Sequence, residues 1–213
     1  MTPVYCYTDY PEAELFLNGK SQGRIKKVTE KPNEWNTASR EQQAKTRLDR
    51  YRLRWNDVKY EPGELKVVVY DESGQQAGEK ILKTASKPAQ LKLDVWTQLT
   101  DGSPLLSKGV GDRLLQADGN DLAFVTVSLV DKNGTLIPDA QDQLAFEVSG
   151  AGNFRGVCNG DATSLEPFTQ PTMKLFNGQL VVVVQAAKHA GTLTMKVTDK
   201  ERKLKQTVKI QVR

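Results

Sequence analysis

At 213 residues, with 38% hydrophobic and 26% charged residues, the chain is too long for one sandwich of about 100 residues, suits two, and is far from a disordered composition. Its net charge of +4 comes from 15 basic and 13 acidic residues in 1–86 and the same numbers in 87–213, which excludes the positive excess that nucleic-acid binding requires. No apolar run approaches the roughly 20 residues needed to cross a bilayer, and Met1 to Tyr5 lacks a basic-then-apolar signal region, so no membrane partner is expected.

The first segments have the two-residue period of strands. Val4 to Tyr10 precedes Ala13 to Gly23, where Glu14, Phe16 and Asn18 alternate with Leu15 and Leu17. Asn18-Gly19 is the pair preferred by a type I′ hairpin turn, so the segment reads as a hairpin with Asn18 as a turn device. Val28 to Asp49 breaks the pattern. It is polar, contains Pro32, Asn33 and Asn36, and offers Ser39 with Gln42 as a capping box for a short helix through Leu48.

Further on, Tyr51, Leu53 and Trp55 alternate with Arg50, Arg52 and Arg54, which predicts a strand with its rings and Leu53 on one face and its guanidinium groups on the other. Leu65 to Tyr70, entered through Pro62-Gly63 and left through Asp71 to Gly74, reads as a central strand. A polar, Pro-bearing stretch from Thr84 to Ala89 then marks a join, which divides the chain into 1–86 and 87–213.

The second half restarts the pattern. Strands are predicted at Leu122 to Val130, Leu144 to Val148, Leu180 to Val184, Leu193 to Val197 and Leu204 to Val212. Asp131 to Gly134, Gly150 to Asn153, Asn177-Gly178 and Ala190-Gly191 supply the turns. In the last strand Val208, Ile210 and Val212 alternate with polar residues, giving one buried and one solvated face. The expected fold class is all-β, with two consecutive immunoglobulin-like β-sandwich domains. Cys6 and Cys158 fall in different domains and are expected as buried or half-buried free thiols.

Two sets of residues resemble known modules. The 13–23 hairpin, flanked by Val4 to Tyr10 and by Tyr60-Glu61-Pro62-Gly63-Glu64-Leu65, resembles a sandwich found downstream of the catalytic barrel in family two glycoside hydrolases, the β-galactosidase group. Residues 28–49 depart from that pattern as a long insertion. In the second half, Asp118-Gly119-Asn120-Asp121, Asp131 to Gly134, Asn159-Gly160-Asp161 and Glu166-Pro167-Phe168 resemble the C-terminal sandwich of the same glycosidases. Part of that set is also similar to the repeats of invasin- and intimin-type adhesins.

The resemblance implies a non-catalytic C-terminal accessory region, with the parent's catalytic barrel as its partner and carbohydrate as the other candidate partner. The adhesin likeness implies the alternative, an independent module binding carbohydrate or a cell-surface partner. A secreted polysaccharide-degrading parent would place the chain in the periplasm or outside the cell, and oligomeric state stays open.

The residues themselves offer little chemistry. Glu12, Glu14, Glu61, Glu64, Glu147 and Glu166 read as solvated strand or turn residues, and the family's catalytic glutamates belong to a barrel that has no alternating strand–helix pattern here. No catalytic residue is therefore expected. His189 stands alone beside a turn, without zinc spacing. Asp118, Asp121, Asp131, Asp139 and Asp142 lack EF-hand spacing and read as turn caps, so neither metal nor cofactor is expected. The basic stretch Arg40 to Lys59 reads as a solvated sheet face. Few aromatic side chains look exposed. Trp55 is expected in the core, Trp96 in the core or an interface, and Trp35, in the polar insertion, is the one candidate substrate-binding residue.

Overall fold

A computed structural model describes residues 1–27, 39–97 and 114–213. The chain divides into two compact units, Met1–Thr84 and Ala85–Arg213. Nearly all of the described elements are antiparallel strands.

The first unit holds β1 (Val4–Tyr7), β2 (Glu12–Leu17), β3 (Lys20–Lys26), α1 (Arg40–Asp49), β4 (Arg52–Trp55), β5 (Glu64–Tyr70) and β6 (Gln76–Lys83). Strands β3-β2-β5-β6 form one sheet and β1-β4 a second. Period two works here as packing: Ala13, Leu15 and Leu17 of β2 are buried with Leu53 and Trp55 of β4 and with Val58, while the partly buried Leu65, Val67 and Val69 of β5 pack against them. Burying each such aliphatic side chain contributes about 1.5–3 kcal/mol. Strand β5 is central, as its apolar run predicts.

The expected hairpin forms, with Asn18 at φ 49° and Gly19 at φ 80°. The Asn18 side chain does more than permit the turn. Its Oδ1 accepts from the Glu64 amide at 2.8 Å and its Nδ2 donates to the Pro62 carbonyl at 3.2 Å, while its own amide donates to the Glu64 carbonyl at 2.8 Å. The clasp explains the neighbouring glycine: a Cβ at Gly63, where φ is 139°, would lie 1.9 Å from Asn18 Oδ1. Helix α1 begins after Ser39 and runs to Asp49, one residue beyond the expected end at Leu48.

The second unit holds β7 (Pro88–Thr97), β8 (Leu114–Leu115), β9 (Leu122–Asp131), β10 (Gln143–Gly150), β11 (Gly152–Cys158), β12 (Thr172–Lys174), β13 (Gln179–Ala186), β14 (Gly191–Asp199) and β15 (Leu204–Val212). They pair as β11-β13-β9-β7 and β12-β10-β14-β15-β8, two sheets enclosing one core. Among the described strands, only the short β8 runs parallel to its neighbour. Alternate residues point inward, Val125 and Val127 from one sheet and Leu193, Met195 and Val197 from the other.

Two expectations need correction. Gly150 to Asn153 is not a four-residue turn, because Ala151 alone separates β10 from β11. Strand β11 is a Gly- and Arg-bearing edge strand with a bulge between Phe154 and Gly156, and it carries no apolar alternation to betray it. Cys158, at the end of that edge strand, is exposed, whereas Cys6 is half-buried with its thiol pKa raised by burial.

Candidate functional site

Between β11 and β12 the chain runs through Asn159 to Pro171, and this loop walls a cleft of about 710 Å³. Its shape is held by three side chains from the motif noted in the sequence. Asn159 Nδ2 donates to the Lys174 carbonyl at 3.0 Å, and its Oδ1 accepts from the Asp161 amide at 3.0 Å. Asp161 Oδ1 accepts from the Thr163 amide at 2.9 Å and the Thr163 hydroxyl at 2.7 Å, and these bonds hold its carboxyl pKa below the usual value. Glu166 ties the loop to both neighbouring strands, its Oε1 accepting from Gln143 Nε2 at 3.1 Å and its Oε2 from the Lys174 amide at 3.2 Å.

Main-chain bonds complete the frame, from Val157 to the Phe168 carbonyl and from Phe146 to the Pro171 carbonyl. The loop is thus ordered by its own polar groups while presenting Leu165, 98% exposed, and Phe168 to solvent. Phe176, 37% exposed, also lines the cleft.

The first unit carries two further polar faces. On the outer side of β1-β4, Tyr5 stands opposite Arg54 and Tyr7 opposite Arg52. Tyr7 is 69% exposed, and the Arg52 guanidinium lies 4.8 Å from the centre of the Tyr5 ring. On the outer side of β3-β2-β5, Arg24 pairs with Glu12 at 2.6 Å and lies 3.5 Å above the Tyr70 ring. Glu14 accepts from the Tyr70 hydroxyl at 3.2 Å and the Ser21 hydroxyl at 2.5 Å. The Arg24 hydrogen bond lowers the Glu12 pKa, while burial, then Glu14, raises that of Tyr70. Both carboxylates are therefore occupied by neighbours in the sheet.

The other sequence-marked residues are dispersed. Trp35 lies outside the described residues. Trp55 is buried, its Nε1 donating to the Gly23 carbonyl at 2.8 Å, and half-buried Trp96 donates to Thr126 Oγ1 at 3.2 Å. His189 sits exposed in a bend. Asp118, Asp121 and Asp131 cap turns through backbone amides, as expected. Asp142 departs from that expectation: it is buried and paired with Arg202 at 2.5 Å.

Glu12, Glu14 and Glu166 are likewise engaged instead of simply solvated. The expectation of few exposed aromatics also fails, since Tyr5, Tyr7, Tyr10, Tyr51, Tyr60, Phe168 and Phe176 are all exposed. The alternation within β4 correctly put Leu53 and Trp55 opposite Arg52 and Arg54, but Tyr51 precedes the strand and stays in solvent. The arginines then share their face with rings supplied by β1, a pairing across some 48 residues that no local period encodes.

Residues 110–208 match the family described as glycoside hydrolase family 2 C-terminal domain 5, and residues 1–78 match a domain of unknown function, DUF4982. Over 184 residues, 85% of the chain, the sequence is 38% identical to the β-galactosidase BoGH2A of Bacteroides ovatus, of which it spans 17%. A family 2 glycosyl hydrolase from Bacteroides cellulosilyticus superposes with a TM-score of 0.79 at 26% identity, covering 99% of this chain and 23% of that one. A β-glycosidase from Bacteroides vulgatus does so with a TM-score of 0.74 at 25% identity, covering 99% and 22%. These matches do not favour the adhesin-like alternative.

Proposed function

We propose, from the premise that this chain belongs to the C-terminal region of glycoside hydrolase family 2, that it is a non-catalytic accessory region whose partner is the catalytic barrel of its parent enzyme. The observation that carries this reading is the 38% identity to a β-galactosidase over 85% of the chain, combined with the family 2 C-terminal match over 110–208. A β-galactosidase is accordingly the parent we propose.

The physical chemistry points the same way. Glycoside hydrolysis needs two carboxylic groups facing one sugar, about 5–5.5 Å apart for retention or 6.5–9.5 Å for inversion. In the cleft beside Asn159, both Glu166 oxygens and one of Asp161 are already bound to the loop and its flanking strands, so they act as framework. The exposed Tyr5 and Tyr7, beside Arg52 and Arg54 on the outer face of the first unit, have the composition of a surface that packs against another folded body, with Tyr and Arg prominent among binding hot spots.

The test is direct. The purified 213-residue chain is incubated with 4-nitrophenyl β-D-galactoside. No turnover above buffer is expected, and measurable turnover that follows the protein through purification would refute the non-catalytic reading.

A further inference from the structure

We propose that the cleft beside Asn159 to Glu166 binds a short neutral oligosaccharide. Its volume of about 710 Å³ lies inside the range of small-molecule sites. The groups left free after the loop's own bonds are counted have the character that sugar hydroxyls require. Asp161 keeps one carboxylate oxygen as an acceptor, because the described bonds all go to Oδ1. The Ser164 hydroxyl accepts from the Glu166 amide at 3.3 Å and retains its proton to donate. Gln141 contributes an amide that both donates and accepts, and the exposed Lys174 carries an ammonium donor.

The charge balance selects the ligand. Asp161 and Glu166 outnumber Lys174, so phosphate, sulfate or a uronate would meet net repulsion while a neutral polyol would not. Phe176 and Leu165 supply an apolar surface against which the C–H face of a pyranose can lie. Asn159, Asp161 and Glu166 hold the loop through its own hydrogen bonds, so binding carries little ordering cost.

The choice of a β-linked sugar as the ligand rests on the accessory reading above. The test is a titration of the ¹⁵N-labelled 213-residue chain with lactose and, separately, cellobiose, followed by amide shifts. Saturable shifts at Gln141, Ser164, Leu165 and Phe176 are expected with at least one of them, with a dissociation constant of about 1 mM. Phe176→Ala and Lys174→Ala should each weaken binding roughly fivefold, and Lys174→Ala should do so with the unfolding midpoint unchanged, since its side chain is exposed. Gln141→Ala serves as a third variant if Phe176→Ala proves unstable.

Absence of shifts with both sugars at about 50 mM, or shifts confined to other parts of the chain such as the Tyr5 and Tyr7 face, overturns the proposal. Either failure leaves the accessory reading standing, because that reading is judged on the parent enzyme and not on sugar binding by this chain.

Discussion

Replacing Asn18 separates the two jobs that its side chain performs. Asn18→Gly keeps a residue that accepts the left-handed φ of 49° but removes the Oδ1 and Nδ2 bonds to Glu64 and Pro62. At about 0.5–1.5 kcal/mol per net hydrogen bond, discounted for partial exposure, this variant should lose about 1–2 kcal/mol. Asn18→Ala loses the same bonds and adds the left-handed penalty of about 1 kcal/mol, for a total of about 2–3 kcal/mol. Asn18→Asp retains the acceptor to the Glu64 amide and should be the mildest, at roughly 0.5–1 kcal/mol.

The expected order of stability is therefore wild type, Asp, Gly, Ala. With an m-value near 1 kcal/mol/M for a unit this small, Asn18→Ala should lower the urea midpoint by about 2–3 M. Hydrogen-exchange mass spectrometry across the urea series assigns the loss, because peptides from β2 and β5 should open early while those from β13 and β14 keep their protection. If Asn18→Gly matches the wild type, the clasp onto the second turn contributes nothing. If Gly and Ala variants are equal, the backbone argument is wrong.

Other variants probe the second unit and the clasp from its far side. Gly63→Ala should be at least as damaging as Asn18→Ala, because its Cβ would meet Asn18 Oδ1 at 1.9 Å; wild-type urea stability would refute the close approach. Asp131 accepts from Ser86, Asn133 and Thr135, and these bonds lower its pKa from 3.8 to about 2. Since the folded value is the depressed one, its contribution is complete above about pH 4 and is lost as pH falls through about 2. Asp131→Asn should therefore flatten the acid limb of second-unit stability between those values, and an unchanged limb would contradict the assignment. Arg202→Leu leaves buried Asp142 and Asp199 without their cation and should cost about 2 kcal/mol by urea unfolding, less than a fully buried pair because the Arg202 side chain is 40% exposed.

Local signals carried most of the architecture into view. Asn18-Gly19 and Asn177-Gly178 announce turns that need positive φ, and both asparagines adopt it. The alternation of Val208, Ile210 and Val212 survives unchanged as the inward face of β15. What escaped notice depends on partners distant in sequence. Strand β11 exists because β13 pairs with it, its glycines admitting the close approach of Leu193 to Gly152.

The cleft was legible only as a motif. Asn159, Asp161 and Glu166 stood out by resemblance, but their bonds to Gln143 and to the Lys174 backbone require β10 and β12 to flank the loop. Tyr5 and Tyr7 give no local sign of facing arginines, because register between β1 and β4 is set by burial of Leu53 and Trp55 on the other side of the pair.

The central claim concerns service to a larger enzyme, and deletion tests it most directly. The complete gene product containing this chain is compared with a version lacking these 213 residues, measuring β-galactoside hydrolysis and thermal inactivation, with the separate chain then added back. The account predicts a galactosidase whose inactivation temperature falls by about 5 °C or more on deletion and recovers at least partly on add-back. A product with no galactosidase activity, or one whose activity and inactivation temperature are indifferent to the deletion, would contradict it.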